Sequence, residues 1–139
     1  MVSENIYQLR VVYAYDDEIY RIIEICGKNT LDDLSDTILN SFKFDKDHLY
    51  LFNMDMEPYG NNSYELNPQG EGKSTKVSLN EIIEKEDQIF LYLFDFGDEW
   101  MFPLIVEKIK RGKCLKPKII ESKGKLEQYG DPNEDFDDD

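Results

Sequence analysis

From Ile6 to Tyr13 the residues Tyr7, Leu9, Val11 and Tyr13 are apolar or aromatic, with Gln8 and Arg10 between them. A period of two is that of a strand with one wet face. Asp16-Asp17 marks a turn, and Ile19 to Ile25, rich in β-branched residues and closed by Gly27, predicts the second arm of an antiparallel hairpin. The period then changes. With Thr30 as N-cap and Asp33 three positions on, Leu31, Leu34, Ile38 and Phe42 fall on one side of a helix. Asp32, Asp33, Asp36 and Asn40 fall on its wet side, and the acidic first turn suits the helix dipole.

His48 to Met54 predicts a third strand, after which Asn, Gly, Pro and Ser crowd residues 57–75 and predict a long mobile loop. Val77, Leu79, Ile82 and Ile83 predict one or two helical turns from Ser78. Gln88 to Phe94 and Glu99 to Ile109 form a final strand pair, with Lys118 to Glu121 as an added edge strand. The order β-β-α-β, loop, short α, β-β predicts an α+β domain over residues 1–126. Its expected form is a β-grasp-like mixed or antiparallel sheet with one main helix packed on one face. Residues 127–139 form an acidic, disordered tail in this reading.

The sharpest local signal is the last hairpin, whose corner is Asp95-Phe96-Gly97-Asp98 beside the only tryptophan, Trp100. A tight corner asks for a residue that tolerates unusual backbone angles, which assigns that role to Gly97. Asp95 and Asp98 are then expected to accept hydrogen bonds from turn amides, and Trp100 to anchor the core.

Charge narrows the function classes. The net charge is -14, and residues 127–139 hold seven carboxylates and no Lys or Arg. An acidic body argues against direct binding to nucleic acid or to an anionic membrane, although a basic run extends from Lys108 to Lys118. No segment approaches the roughly 18 apolar residues of a membrane span, and the start lacks a basic region followed by an apolar stretch. Cytoplasmic location follows as the expectation. Cys26 and Cys114 lie far apart without close pairing, so reduced thiols are expected.

Motifs that suggest chemistry are incomplete. Gly70-Glu71-Gly72-Lys73-Ser74-Thr75 resembles the end of a phosphate loop, but its first glycine would stand where Asn67 does. Asp95-Phe96-Gly97 copies the magnesium triplet of protein kinases without their other signatures. Asp131 to Asp137 resembles the first half of a calcium loop, with Phe136 in place of the turn glycine. His48 is the only histidine and reads as a packed strand residue. No catalytic, cofactor-binding or metal residue is assigned, and no cofactor is expected.

Four stretches resemble the Ri-plasmid ORF-3-like family, also called insertion-element passenger proteins of "TnpR" type. They are Ile19-Tyr20-Arg21-Ile22-Ile23, Thr30-Leu31 with Leu34 and Ile38, Asp47 to Phe52, and Tyr92 to Glu107, the last being the most specific. Relatives often carry a histidine where this chain has Ser35 and another where it has Phe102. Many also end in a Cys-Pro-Pro-Glu-Asp-Cys-Gly-Gly stretch, where this chain runs from Ser122 to Gly130. The resemblance implies a small α+β domain carried by plasmids and mobile elements, without recombinase activity.

The leading expectation is therefore a protein-binding or accessory module without catalysis, presenting exposed aromatics and the 57–75 loop to a partner. Tyr20, Arg21, His48, Asp95, Gly97, Asp98 and Trp100 are its candidate structural or interaction residues. One alternative is a small enzyme using Asp95, Asp98 and Glu99 with Arg21 or Tyr20 opposite, because a carboxylate desolvated beside aromatics can have a raised pKa. Another is an acidic mimic of DNA.

Overall fold

The alternation of Tyr7, Leu9 and Val11 becomes strand β1 (Glu4–Tyr13), and all three side chains are buried. In the computed structural model, which describes residues 3–66 and 73–128, β1 lies inside the sheet with partners on both sides. Leu9 stands opposite Ile23 of β2 (Asp16–Cys26) and opposite Val106 of β7 (Trp100–Gly112), and none of the three is exposed. The hairpin turn falls at Ala14-Tyr15, two residues before the predicted site, because Asp16 already pairs with Tyr13.

The remaining strands are β3 (Tyr50–Asn53), β4 (Ser63–Glu65), β5 (Lys73–Ser74), β6 (Ile89–Phe94) and β8 (Lys118–Lys123). Together they form one eight-stranded sheet in the order β5-β4-β3-β6-β7-β1-β2-β8. Only β4 and β5 pair in parallel. These two short strands lie inside residues 57–75, the segment expected to be a mobile loop, of which residues 67–72 lie outside the described residues.

The α+β, β-grasp-like expectation is overturned. Helix occupies twelve residues in α1 (Leu31–Phe42) and four in α2 (Leu79–Ile82), against a sheet that runs through most of the chain. Strands at residues 63–65 and 73–74 were hidden in a Gly/Asn/Ser-rich stretch, where two or three residues are too few to display a period.

Helix α1 nevertheless begins as its sequence dictates. Thr30 Oγ1 accepts from the Asp33 amide at 3.1 Å while Asp33 Oδ2 accepts from the Thr30 amide at 3.0 Å, a reciprocal cap. Leu31, Leu34, Ile38 and Phe42 are buried, joined by Ser35 and Leu39, which widens the inward face. Burying each of the large apolar side chains contributes about 1.5–3 kcal/mol. The helix ends at Lys43, which takes a left-handed conformation (φ 61°, ψ 39°) and donates its amide to Asn40 and Leu39.

A polar cluster ties the first turn of α1 to the sheet. Asp32 Oδ1 accepts from the hydroxyls of Tyr50 and Thr75, each at 2.5 Å, and the Ser35 and Tyr92 hydroxyls lie 2.6 Å apart. Burial pushes both tyrosine hydroxyls up in pKa, so they act as neutral groups there.

Cys26, at the end of β2, is joined to Cys114 by a disulfide, with the Cα atoms 5.5 Å apart. The expectation of reduced thiols is corrected here. Eighty-eight residues separate the pair in sequence, but Cys114 follows β7 directly, and β1 holds β7 and β2 on either side of it.

Candidate functional site

The expected hairpin forms, with β6 and β7 paired from Ile89↔Ile105 to Phe94↔Trp100. At its corner the left-handed residues are Asp95 (φ 65°) and Glu99 (φ 54°), and Gly97 has no positive φ. A Cβ on Gly97 would meet only Asp95 Oδ1, at 3.5 Å. The unusual backbone angles therefore belong to the two acidic residues flanking the corner. Asp95 Oδ1 accepts from the amides of Gly97 (3.1 Å) and Asp98 (3.4 Å), a turn that explains why an aspartate tolerates this place.

Asp95 is buried, Asp98 is exposed, and Glu99 accepts from the Tyr59 hydroxyl at 2.8 Å. His48 Nε2 lies 3.6 Å from Asp95 Oδ2, and the His48 ring packs edge-on to Phe94. Trp100 is half-buried against Phe44 (ring centroids 4.9 Å apart) and Tyr13 (5.8 Å), and its buried Nε1 has no hydrogen-bond partner among the described residues.

The residues imagined opposite this corner stand elsewhere. Tyr20 and Arg21 belong to β2, three strands from β6, a separation of roughly 14 Å at the usual strand spacing. Tyr20 donates its hydroxyl to the Glu121 carboxylate, which raises its pKa, and lies under the Arg10 guanidinium at 4.6 Å. Asp95, Asp98 and Glu99 line neither the groove beside α1 and β8 nor the clefts next to Met54 and Cys26.

Arg21 instead opens onto a groove. It shares the inward face of β2 with Ile23 and Ile25, and it is only 5% exposed. Its Nε donates to the Ser41 carbonyl (3.2 Å), and Nη1 donates to the carbonyls of Tyr20 (2.8 Å) and Lys123 (3.0 Å). Three elements, α1, β2 and β8, thus fix one guanidinium. Burial lowers its pKa.

The groove has a volume of about 800 Å³ and runs beside the C-terminal end of α1 and the chain after β8, with Lys43, Ser122, Lys125 and Leu126 on its walls. Ser41 also lines a neighbouring cleft of about 370 Å³, bounded by Thr37 and Asn40 of α1 and by Pro117 and Ile119. The outer margin follows from the sheet order, since β8 is an edge strand exposed along its length. Ile119 pairs with Ile23 and Glu121 with Ile22, which leaves Ile120 as a bulge. A bulge and flanking lysines at 118 and 123 blunt this edge against pairing with another strand.

Sequence reasoning singled out Arg21 but missed Ser41, Lys43, Ser122 and Lys125. One signal was available: a charged residue in register with the inward-facing Ile23 and Ile25 of an apolar strand. The other four come from the end of α1 and from the segment at and after β8, and no local pattern links them.

The sequence profile of the plasmid pRiA4b ORF-3-like protein family matches residues 5–136. Among solved structures, the fold is similar to the crystal structure of a protein of unknown function from Methanosarcina mazei Go1, with a TM-score of 0.69 and 23% identity. That likeness covers 86% of this chain and 69% of the other, and at this identity it speaks for the fold alone. A comparison with curated proteins finds no match. Among the described residues no group of His, Cys, Asp and Glu is placed to hold a metal ion, and no helix is long and apolar enough to cross a membrane. With a profile that spans nearly its whole length, the chain belongs to the plasmid pRiA4b ORF-3-like family.

Proposed function

We propose that this domain is a protein-binding module that takes a short, extended, acidic segment of a partner in the groove between α1 and β8. The observation that carries this reading is the groove itself: two adjoining clefts at the sheet margin that share Ser41. Arg21, Lys43, Lys116 and Lys125 line the two clefts without an ion pair among the described residues; Lys118, which also lines the smaller one, pairs with Glu24, and the lining carboxylates are Asp45 and Glu127. In a chain of net charge -14, such a wall favours short acidic segments locally, while the body as a whole repels long polyanions. The blunted β8 edge directs a partner into the groove and away from strand addition.

Selection of displayed random peptides on the immobilised full-length chain tests this reading. Peptides enriched on the wild type are acidic and lose binding to S41W, in which an indole fills the junction of the two clefts. Failure to enrich any sequence, or equal binding to S41W, overturns it.

A further inference from the structure

Arg21 is 5% exposed, yet among the described residues the fully buried polar side-chain atom without a partner is Trp100 Nε1, so the open edge of the Arg21 guanidinium meets the groove. Its five N–H protons divide into one on Nε, two on Nη1 and two on Nη2. Carbonyls accept from the first three, whereas among the described residues Nη2 has no acceptor and no carboxylate lies within ion-pairing distance of Arg21. The other two arginines are served differently. Arg10 pairs with Glu107 at 2.7 Å, and Arg111 donates to Asn5 and Ser3.

We propose that Arg21 is the carboxylate-recognition point of the groove, with Nη2 donating to a carboxylate oxygen of the docked segment. The source of that carboxylate rests on the peptide reading above. Recognition by Arg21 rests on the guanidinium alone. Phe42 lies under the guanidinium, 4.0 Å from its centre, and the three carbonyls hold it in one direction. A donor fixed before the ligand arrives loses little freedom on binding. Lys125 and Lys43 on the same walls add positive charge around the entering oxygen. Asp45 and Glu127 also line the groove, but neither pairs with Arg21.

The test is a titration of the full-length protein with sodium acetate and, separately, with inorganic phosphate, read by the guanidinium proton–nitrogen NMR signals. With three arginines in the chain, the spectrum contains its own controls. Acetate shifts the Arg21 signals saturably and leaves Arg10 and Arg111 unmoved. In S122E, which sets a carboxylate opposite Arg21 in the β2–β8 register, acetate binding weakens about tenfold, as a like charge a few ångströms away requires. Unchanged Arg10 and Arg111 signals confirm that S122E is folded. An Arg21 signal indifferent to acetate, equal shifts in all three arginines, or a response to phosphate without one to acetate overturns the inference. Peptide selection that succeeds while acetate fails leaves the groove reading standing. The converse result leaves Arg21 as an anion site without a docked peptide.

Discussion

Arg21 rests its guanidinium on the ring of Phe42, so a strand residue and the last residue of α1 share one contact at the mouth of the groove. Phe42 is 4% exposed and also packs against Phe102 (5.3 Å between centroids), which makes it both a core residue and the platform of the arginine. Replacing it with Ala is expected to cost about 3–5 kcal/mol of stability, the range for a buried Phe cut to Ala. Urea unfolding measures the loss. A change below 1 kcal/mol on that same scale contradicts the assigned burial.

The reciprocal cap on α1 yields a smaller expected effect. Thr30→Ala removes the acceptor for the Asp33 amide and lowers stability by about 1 kcal/mol. Thr30→Ser, which keeps the oxygen, stays close to wild type. Equal melting temperatures for the Ala and Ser variants would contradict the cap.

Two glycines are expected to respond oppositely to the same substitution. Gly97→Ala at the hairpin corner is tolerated within about 0.5 kcal/mol, since no positive φ stands in its way. Gly124→Ala just past β8 is costly, because φ is +76° and the new Cβ would lie 2.8 Å from Ile19 Cγ1. A loss of about 1 kcal/mol or more is expected there. Paired thermal melts decide the order, and the reverse ranking refutes this reading of the corner.

Glu24 is one source of acid sensitivity, beside Asp33 and Glu107, whose carboxyls are also held low. Its hydrogen bond from Lys110, reinforced by Lys118, holds its carboxyl below the ordinary value of 4.5 although partial burial pushes the other way. The unfolded chain therefore takes up that proton first as pH falls, and stability rises with pH across this window. Glu24 contributes fully above about pH 4.5, and its contribution fades as pH drops through its lowered folded-state pKa. The denaturant midpoint of E24Q should accordingly fall less steeply below pH 4.5 than that of the wild type. Parallel curves would remove Glu24 from the account.

Reduction of the Cys26–Cys114 link opens a loop spanning 88 residues, for which chain entropy sets an upper bound of about 4–5 kcal/mol on the stability lost. A lower melting temperature in reductant, absent from the C26S/C114S double variant, is the expected pattern.

Legibility followed the length of the pattern. Strands β1 and β2, α1 with its cap at Thr30, α2 after Ser78 and the β6–β7 hairpin all carry a period or a cap that survives averaging. The short strands β4 and β5 carry neither, and with them the extent of the sheet went unseen. The disulfide was hidden because Cys26 and Cys114 meet only through the pairing of β1 with β7 and β2. Gly97 misled for a physical reason: side-chain hydrogen bonds let Asp95 take the left-handed angles usually conceded to glycine. The groove is a product of tertiary structure, since Arg21 and Lys125 stand 104 residues apart and share a wall only after β8 joins β2.

Inside the sheet β1 pairs with β7, so Val11 finds Leu104 only after most of the chain lies between them. Closing so large a loop is entropically slow, and sheets paired over such distances fold over roughly milliseconds to seconds. During synthesis the β1–β2 hairpin keeps both flanks bare, one until β7 and the other until β8 has been made.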